Sequence, residues 1–407
     1  MSKQPISALL SVGVALLATC CASQAWAVEP HYIKLSDSMV FVPGLQLKES
    51  YDDNIHADER DELSSWVTTV TPGFTLAGEG SKSSYLLNYT ASSDTFHAST
   101  QDNNTDHSLL AKANLEFTAR HRLQLSSAYS AVENVVTRNQ AQENNRSENV
   151  NLDGVYTYGA RTARGQIDLA GRYEEIRYNN SNGLNSENER DSTTLRSTFY
   201  YRVAPQTRLL LEFRHADHDY LSAHEDSSVN LDLLAGVTWE ATAKTSGTLK
   251  FGRGQKRYDD SRLDNASTGM WEAAVTWKPR TYSTFNLSTR RSFDEGSDNS
   301  LLADGSGDGS NLFDSDDGAV KLQTHSLNWK HYWKKHLYSD LGYSYTDLQY
   351  LDSEREDELT GYNLGLTYEA RRWLDIGIGY RHSENDSTRR SENYQRNVYA
   401  LTISASL

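Results

Sequence analysis

After residue 40 this chain repeats one pattern, the alternation of apolar with polar or small residues, stretch after stretch until it ends. Tyr362, Leu364, Leu366 and Tyr368 alternate with Asn363, Gly365, Thr367 and Glu369. Leu374, Ile376, Ile378 and Tyr380 alternate with Asp375, Gly377, Gly379 and Arg381. Leu231, Leu233, Ala235, Val237 and Trp239 alternate with Asp232, Leu234, Gly236, Thr238 and Glu240. Side chains of a strand point to opposite faces in turn, so each stretch is a strand with one apolar and one polar face. No apolar run after Ala27 approaches the roughly 20 residues of a spanning helix.

The connections alternate as well. Short turns fall at Gly78 to Ser81, Arg120-His121, Ala160 to Arg164, Pro205-Gln206, Lys244-Thr245, Pro279-Arg280, Lys334-Lys335 and Arg371-Arg372. Between them lie polar loops at 53–61, 99–106, 135–147, 180–190, 220–227, 260–267, 294–318, 351–357 and 386–393. Short connections at one end and long ones at the other are the rhythm of an outer-membrane barrel. The expected fold is all-β: a transmembrane antiparallel up-and-down β-barrel of about 18 strands, over residues 39–407. In such a barrel the apolar face meets lipid and the polar face lines the lumen.

A soluble sandwich shares the alternation, and other features separate the two. Aromatics gather at strand ends, as in Trp329 to Trp333 and Trp271 to Trp277, which fits interfacial girdles. The segments are regular throughout. Tyr399, Leu401, Ile403, Ala405 and Leu407 share the last apolar face, a terminal strand similar to the signal read by the barrel-assembly machinery, although it ends on Leu rather than Phe or Trp.

Residues 1–27 read as a cleaved signal peptide: Lys3, an apolar stretch from Ile6 to Ala18, and the cleavage site Ala25-Trp26-Ala27. Acylation at Cys20 after Leu17-Ala18-Thr19 is a competing reading, and the Ala-Trp-Ala site is the better one. Residues 28–38 then form a short periplasmic segment. Both cysteines, Cys20 and Cys21, lie in the signal, so disulfides are not expected in the mature chain. A formal net charge of -15 argues against nucleic acid as a partner. The 24 Tyr and 8 Trp argue against a disordered acidic chain.

Gly44 to Ile55 reads GLQLKESYDDNI, followed by Val70-Thr71-Pro72-Gly73-Phe74, Tyr89 and Asp106-His107. An N-terminal Tyr-Asp-Asp-Asn-Ile, a Pro-Gly on the second strand and a barrel to the last residue resemble the β-barrel porins of the second type. The resemblance implies a Gram-negative outer-membrane barrel serving exopolysaccharide or capsule secretion. Each motif also has a structural reading. Asp52, Asp53 and Asn54 supply turn hydrogen bonds, and Pro43 and Pro72 mark bulges.

The polar face supplies the lumenal candidates: Lys112, Glu116, Arg172, Arg196, Arg208, Glu212, Asp232, Lys250, Glu272, Arg290, Asp340, Asp375 and Arg381. Inward cations and anions nearly balance, so the excess negative charge belongs to the loops. Pairing across strands stiffens the wall; a charged lining also lets a polar polymer slide without tight binding. Loop 294–318 holds Asp304, Asp308, Asp314, Asp316 and Asp317, oxygen ligands of the kind Ca²⁺ takes, but no EF-hand spacing. A flexible acidic loop, or one folded inward on Leu301-Leu302 and Leu312-Phe313, are the other readings. His215 and His218 read as an interfacial strand-end pair. No local nucleophile, zinc or phosphate-binding motif is present, so neither enzyme activity, cofactor nor metal is expected.

The leading expectation is a channel exporting an exopolysaccharide or capsular polymer, with a diffusion or substrate-specific porin as alternative and a lumen-site enzyme as second alternative. Export needs a path through the periplasm. A periplasmic polysaccharide export protein is therefore expected to dock on the basic turns, at Lys334, Lys335, Arg371 and Arg372. Attraction of those turns to anionic outer-membrane lipid is the competing account.

Overall fold

The computed structural model describes residues 32–135, 144–181, 183, 185–223, 226–242, 244–295, 319–351 and 353–406. The expected signal peptide and the proposed Ca²⁺ ligands and anchors of loop 294–318 lie outside these residues. In chain order the strands are β1 (Ile33–Ser36), β2 (Met39–Asp52), β3 (Ser65–Glu79), β4 (Ser83–Phe96), β5 (Asn104–Thr118), β6 (His121–Asn134) and β7 (Asn145–Tyr158). They continue with β8 (Gly165–Tyr178), β9 (Arg190–Ala204), β10 (Thr207–Tyr220), β11 (Ser228–Thr242), β12 (Thr245–Tyr258) and β13 (Ala266–Arg280). The last are β14 (Ser283–Asp294), β15 (Val320–Lys334), β16 (Leu337–Tyr350), β17 (Glu356–Arg371), β18 (Leu374–Ser387) and β19 (Tyr394–Ser406).

From β2 onward each strand pairs antiparallel with the next, and β19 returns to β2 from Val398↔Asp52 to Ser406↔Gly44. That return closes an 18-strand up-and-down barrel, the expected fold. Closure leaves no long sheet edge, which is what an all-β chain needs to satisfy its backbone in lipid.

Exposure confirms which face points out. Leu195, Leu211, Leu233, Phe251, Ile378 and Leu401 are all exposed on the outer wall, while their sequence neighbours face inward. Outward aromatics stack in a row near the turn end: Trp277 on Phe285 at 5.2 Å and Phe285 on Trp329 at 5.6 Å between ring centroids. Tyr51 and Trp66 pair at 5.5 Å at the loop end. Two aromatic levels bounding an apolar wall are the dress of a membrane barrel.

Two expectations are corrected. The alternation pattern does not foreshadow β1, which hairpins onto β2 with Ile33 opposite Phe41. Since β19 stops opposite Gly44, β1 continues its line along β2, and Pro43 stands in the gap between them. A proline is tolerated there because β2 has a partner on one side only. Neither proline makes the expected bulge. The β2–β3 register passes Pro43 unbroken, and β3–β4 pairing lapses at Pro72 but resumes in the same register, Val70↔Ser93 and Gly73↔Thr90.

Candidate functional site in the barrel lumen

Lys112, Glu116, Arg172, Arg196, Arg208, Glu212, Asp232, Lys250, Glu272, Arg290, Asp340, Asp375 and Arg381 all fall on the face opposite the exposed apolar residues of their strands. The structure draws only some of them together. Arg214 of β10 holds Glu272 of β13 through two hydrogen bonds, Nη1 to Oε1 at 2.5 Å and Nη2 to Oε2 at 2.9 Å. Its Nε also donates to Glu212 at 2.6 Å. Lys250 of β12 donates to both oxygens of Glu212, at 3.2 and 3.1 Å, and to Glu272 at 3.1 Å. Thr198 of β9 adds a hydrogen bond to Glu212 at 3.0 Å. Two cations and two carboxylates thus form one network across the inner face of β10–β13.

β11 and β12, the two strands that Arg214 spans, approach each other closely. A Cβ on Gly236 would lie 2.1 Å from the Leu249 carbonyl oxygen, and one on Gly252 2.0 Å from that of Leu233. Only glycine fits this close approach of the two strands, and Leu234, opposite both Glu212 and Gly252, is a fully buried inward side chain at the network. Arg196 and Arg290 flank the network and make no ion pair with the described residues; the Nε of Arg290 is buried without a hydrogen-bond partner. Asp232 stands opposite Arg214 in register.

The other candidates are dispersed. Arg172 lies 3.3 Å from Asp153, and Glu116 3.7 Å from Arg161. Arg208 donates to Gln166 at 3.2 Å and to the Arg161 carbonyl at 2.9 Å. Lys112, Asp340, Asp375 and Arg381 belong to other walls of the barrel. At the turn end, Lys334 and Lys335 are exposed between β15 and β16, and Arg371 and Arg372 between β17 and β18.

A second lumenal cluster sits at the loop end, and local sequence did not reveal it. Glu295, one residue past β14, turns inward and accepts from Lys256 Nζ at 2.7 and 2.9 Å, Tyr220 OH at 3.2 Å and Asn230 at 3.3 Å. Lys256 also donates to Ser228 at 2.7 Å and is fully buried. Burial opposes ionisation of Glu295, but His218, Lys256 and Arg190 around it outweigh that and hold it well below the usual carboxylate range. His218 is not an interfacial partner of His215. It faces inward, hydrogen-bonded to Ser192 at 2.9 Å, because residues three apart on a strand lie on opposite faces. Lys256 shares the inward parity of Lys250 and was legible on that ground. Glu295 lies beyond the strand and was not.

A third group uses the Asp-Asp-Asn motif. Asp53 accepts from the backbone N–H of Asn397 at 2.7 Å and its amide at 2.8 Å, and Arg396 Nε donates to Asp52 at 2.9 Å. Asn54 donates to the Gln395 carbonyl at 2.9 Å. The motif makes the expected turn bonds, Asn54 N–H to Asp52 at 3.0 Å, Asp58 N–H to Asn54 Oδ1 at 3.1 Å and Asn54 Nδ2 to the Asp58 carbonyl at 2.8 Å, and it also clasps β2 to β19.

Among the described residues no group of three His, Cys, Asp or Glu is placed to hold a metal ion. Residues 37–407 match the family model described as Putative beta-barrel porin 2. No curated protein matches the chain in sequence. Among solved structures the chain is similar to the FrpB iron transporter from Neisseria meningitidis (F3-3 variant), with 12% identity and TM-score 0.47, over 87% of this chain and 63% of that one. It is similar to OccAB2 of Acinetobacter baumannii, with 13% identity and TM-score 0.48, over 90% of this chain and 98% of that one. It is similar, too, to the outer membrane protein opdK from Pseudomonas aeruginosa, with 11% identity and TM-score 0.47, over 90% and 99% of the two chains.

Proposed function

The chain belongs to the Putative beta-barrel porin 2 family, and from that membership we propose that it is a water-filled pore through which hydrophilic, charge-bearing solutes cross the outer membrane. The observation that carries this reading is the network of Glu212, Arg214, Lys250 and Glu272 on the inner wall, flanked by Arg196 and Arg290. Glu212 is buried inside the network, while the half-buried Arg196, Glu272 and Arg290 offer a hydrated solute exchangeable contacts of both signs rather than one deep well. The two flanking arginines leave the lining slightly positive there. In planar bilayers the purified barrel gives discrete conductance steps. In a salt gradient, Arg196→Glu with Arg290→Gln moves the reversal potential toward cations. A folded barrel that conducts nothing, or an unmoved reversal potential, counts against the pore and its lining.

The second reading is export of an exopolysaccharide or capsular polymer together with a periplasmic export protein. It is favoured by the Tyr51 to Ile55 motif and by the exposed Lys334, Lys335, Arg371 and Arg372 on neighbouring turns. Reversing those four charges lowers polymer secretion while assembly and conductance stay normal. Unchanged secretion leaves the basic turns to lipid head groups.

A further inference from the structure

The outer wall carries an apolar groove of about 720 Å³ that the function of the lumen does not explain. It follows the register of the sheet. Met39, Gly78, Tyr85, Ala113, Leu125 and Gly154 form one continuous row across β2–β7, each opposite the next. The neighbouring row on the loop-end side is Leu76, Leu87, Ala111, Ser127 and Leu152. Tyr85, Leu125 and Leu152 are exposed, which places the groove on the lipid side. Small and large side chains alternate along the rows: Ala113, Ala111 and Ser127 are the adjoining small positions, bounded by Tyr85 and Leu87 on β4 and by Leu125 and Leu152 on β6 and β7.

The floor is open space, not close packing. A Cβ on Gly78 would meet nothing nearer than the Ser38 carbonyl oxygen at 3.8 Å, and one on Gly154 nothing nearer than the Leu125 side chain at 3.5 Å. On β11 and β12, by contrast, glycine is imposed by backbone contact. Five interstrand steps of about 4.8 Å make the row roughly 24 Å long. With strands tilted ~40° from the barrel axis it climbs about 15 Å, half of the ~30 Å hydrocarbon core. It starts at the turn end, where Met39 opens β2.

The turns below supply charge. Lys82, between β3 and β4, and Arg120, between β5 and β6, are exposed and form no ion pair with the described residues. We propose that this groove binds one anionic phospholipid of the inner leaflet, with an acyl chain seated over Ala113, Ala111 and Ser127 between the Tyr85 and Leu125 side chains and its phosphate held by Lys82 and Arg120. The apolar trough and the cations sit in the order in which a lipid presents its tail and head.

Native mass spectrometry of the full barrel in mixed micelles tests this, with phosphatidylglycerol and phosphatidylcholine as probes. The wild type retains one phosphatidylglycerol in preference to phosphatidylcholine. Lys82→Gln and Arg120→Gln each reduce retention roughly fivefold, and the same change at Lys334 does not. Filling the floor with Ala113→Leu and Gly154→Leu abolishes retention; heat-modifiable gel migration confirms that the variant is folded. If the filled variant misfolds, the two glutamine variants decide. Equal retention of both lipids, or retention unchanged by all variants, overturns the proposal. So does a dimer that the floor-filling variant alone dissolves, because the occupant is then a second copy.

Discussion

Asp53 takes both the backbone N–H and the side-chain amide of Asn397, a residue 344 positions away, at 2.7 and 2.8 Å. The pair sits where the first long strand meets the last, just beyond the ladder of β2 and β19. Those two strands share fewer residue pairs than β2 shares with β3, so the seam depends more on its side chains. Asp52 and Asn54 secure the same strand through Arg396 and Gln395.

Asp53→Ala leaves two donors of Asn397 without their acceptor, at a cost of about 1–3 kcal/mol. The expected outcome is a lower temperature at which the folded gel band is lost, with strand content and conductance unchanged. Asn397→Ala also removes the acceptor of Tyr380 OH and of His382 Nδ1, both at 2.9 Å, so its loss is at least as large, and the double variant falls short of the sum. Strict additivity would show that the two residues act independently.

The lumenal network predicts strong coupling. Glu212 is 2% exposed and Lys250 holds both its oxygens. Breaking a buried pair costs up to ~3–5 kcal/mol, and the Arg214 left beside Glu212 softens that for Lys250→Met. Combining Lys250→Met with Glu212→Gln in a thermal-unfolding cycle should give a coupling energy between about 0.5 and 3 kcal/mol. A coupling near zero would show that the network does not act as a unit.

How much of this was legible beforehand depended on range. Period-2 alternation gave the strands, because the two-faced wall is written locally at Tyr362 to Tyr368 and Leu374 to Arg381. Parity along each strand likewise placed Glu212, Lys250 and Glu272 on the inward face. It did not show that these three meet around Arg214, since that contact reaches from β10 across β11 and β12 to β13. The contact of Asp53 with Asn397, and of Glu295 with Lys256, joins segments that no local window contains. His218 was misplaced because its spacing from His215 was read as a pair rather than as opposite faces.

Gly252 is predicted to be irreplaceable. A methyl group there meets the Leu233 carbonyl oxygen at 2.0 Å, and backbone cannot move aside as a flexible side chain does. Gly252→Ala should sharply lower the yield of heat-modifiable barrel. Gly269→Ala is the control, since a Cβ there has nothing within 4 Å, and it should fold as the wild type does.

The loop-end cluster predicts a pH dependence with a definite sign. Burial raises the proton affinity of Glu295, and His218, Lys256 and Arg190 more than reverse it, so its folded pKa lies below the ~4.3 of an unperturbed glutamate. A depressed carboxylate contributes stability that is fully present above the unfolded pKa. As pH falls below about 4.3 the unfolded chain takes up the proton first, and the contribution declines until the folded value is reached. The stability difference between wild type and Glu295→Gln, read by thermal unfolding in detergent, should therefore be constant from pH 7 to about pH 5. It should shrink on further acidification. A difference that grows as pH falls would mean that Glu295 is protonated in the folded barrel, and that Lys256 is held by Ser228 and the ring of Tyr258 rather than by a carboxylate.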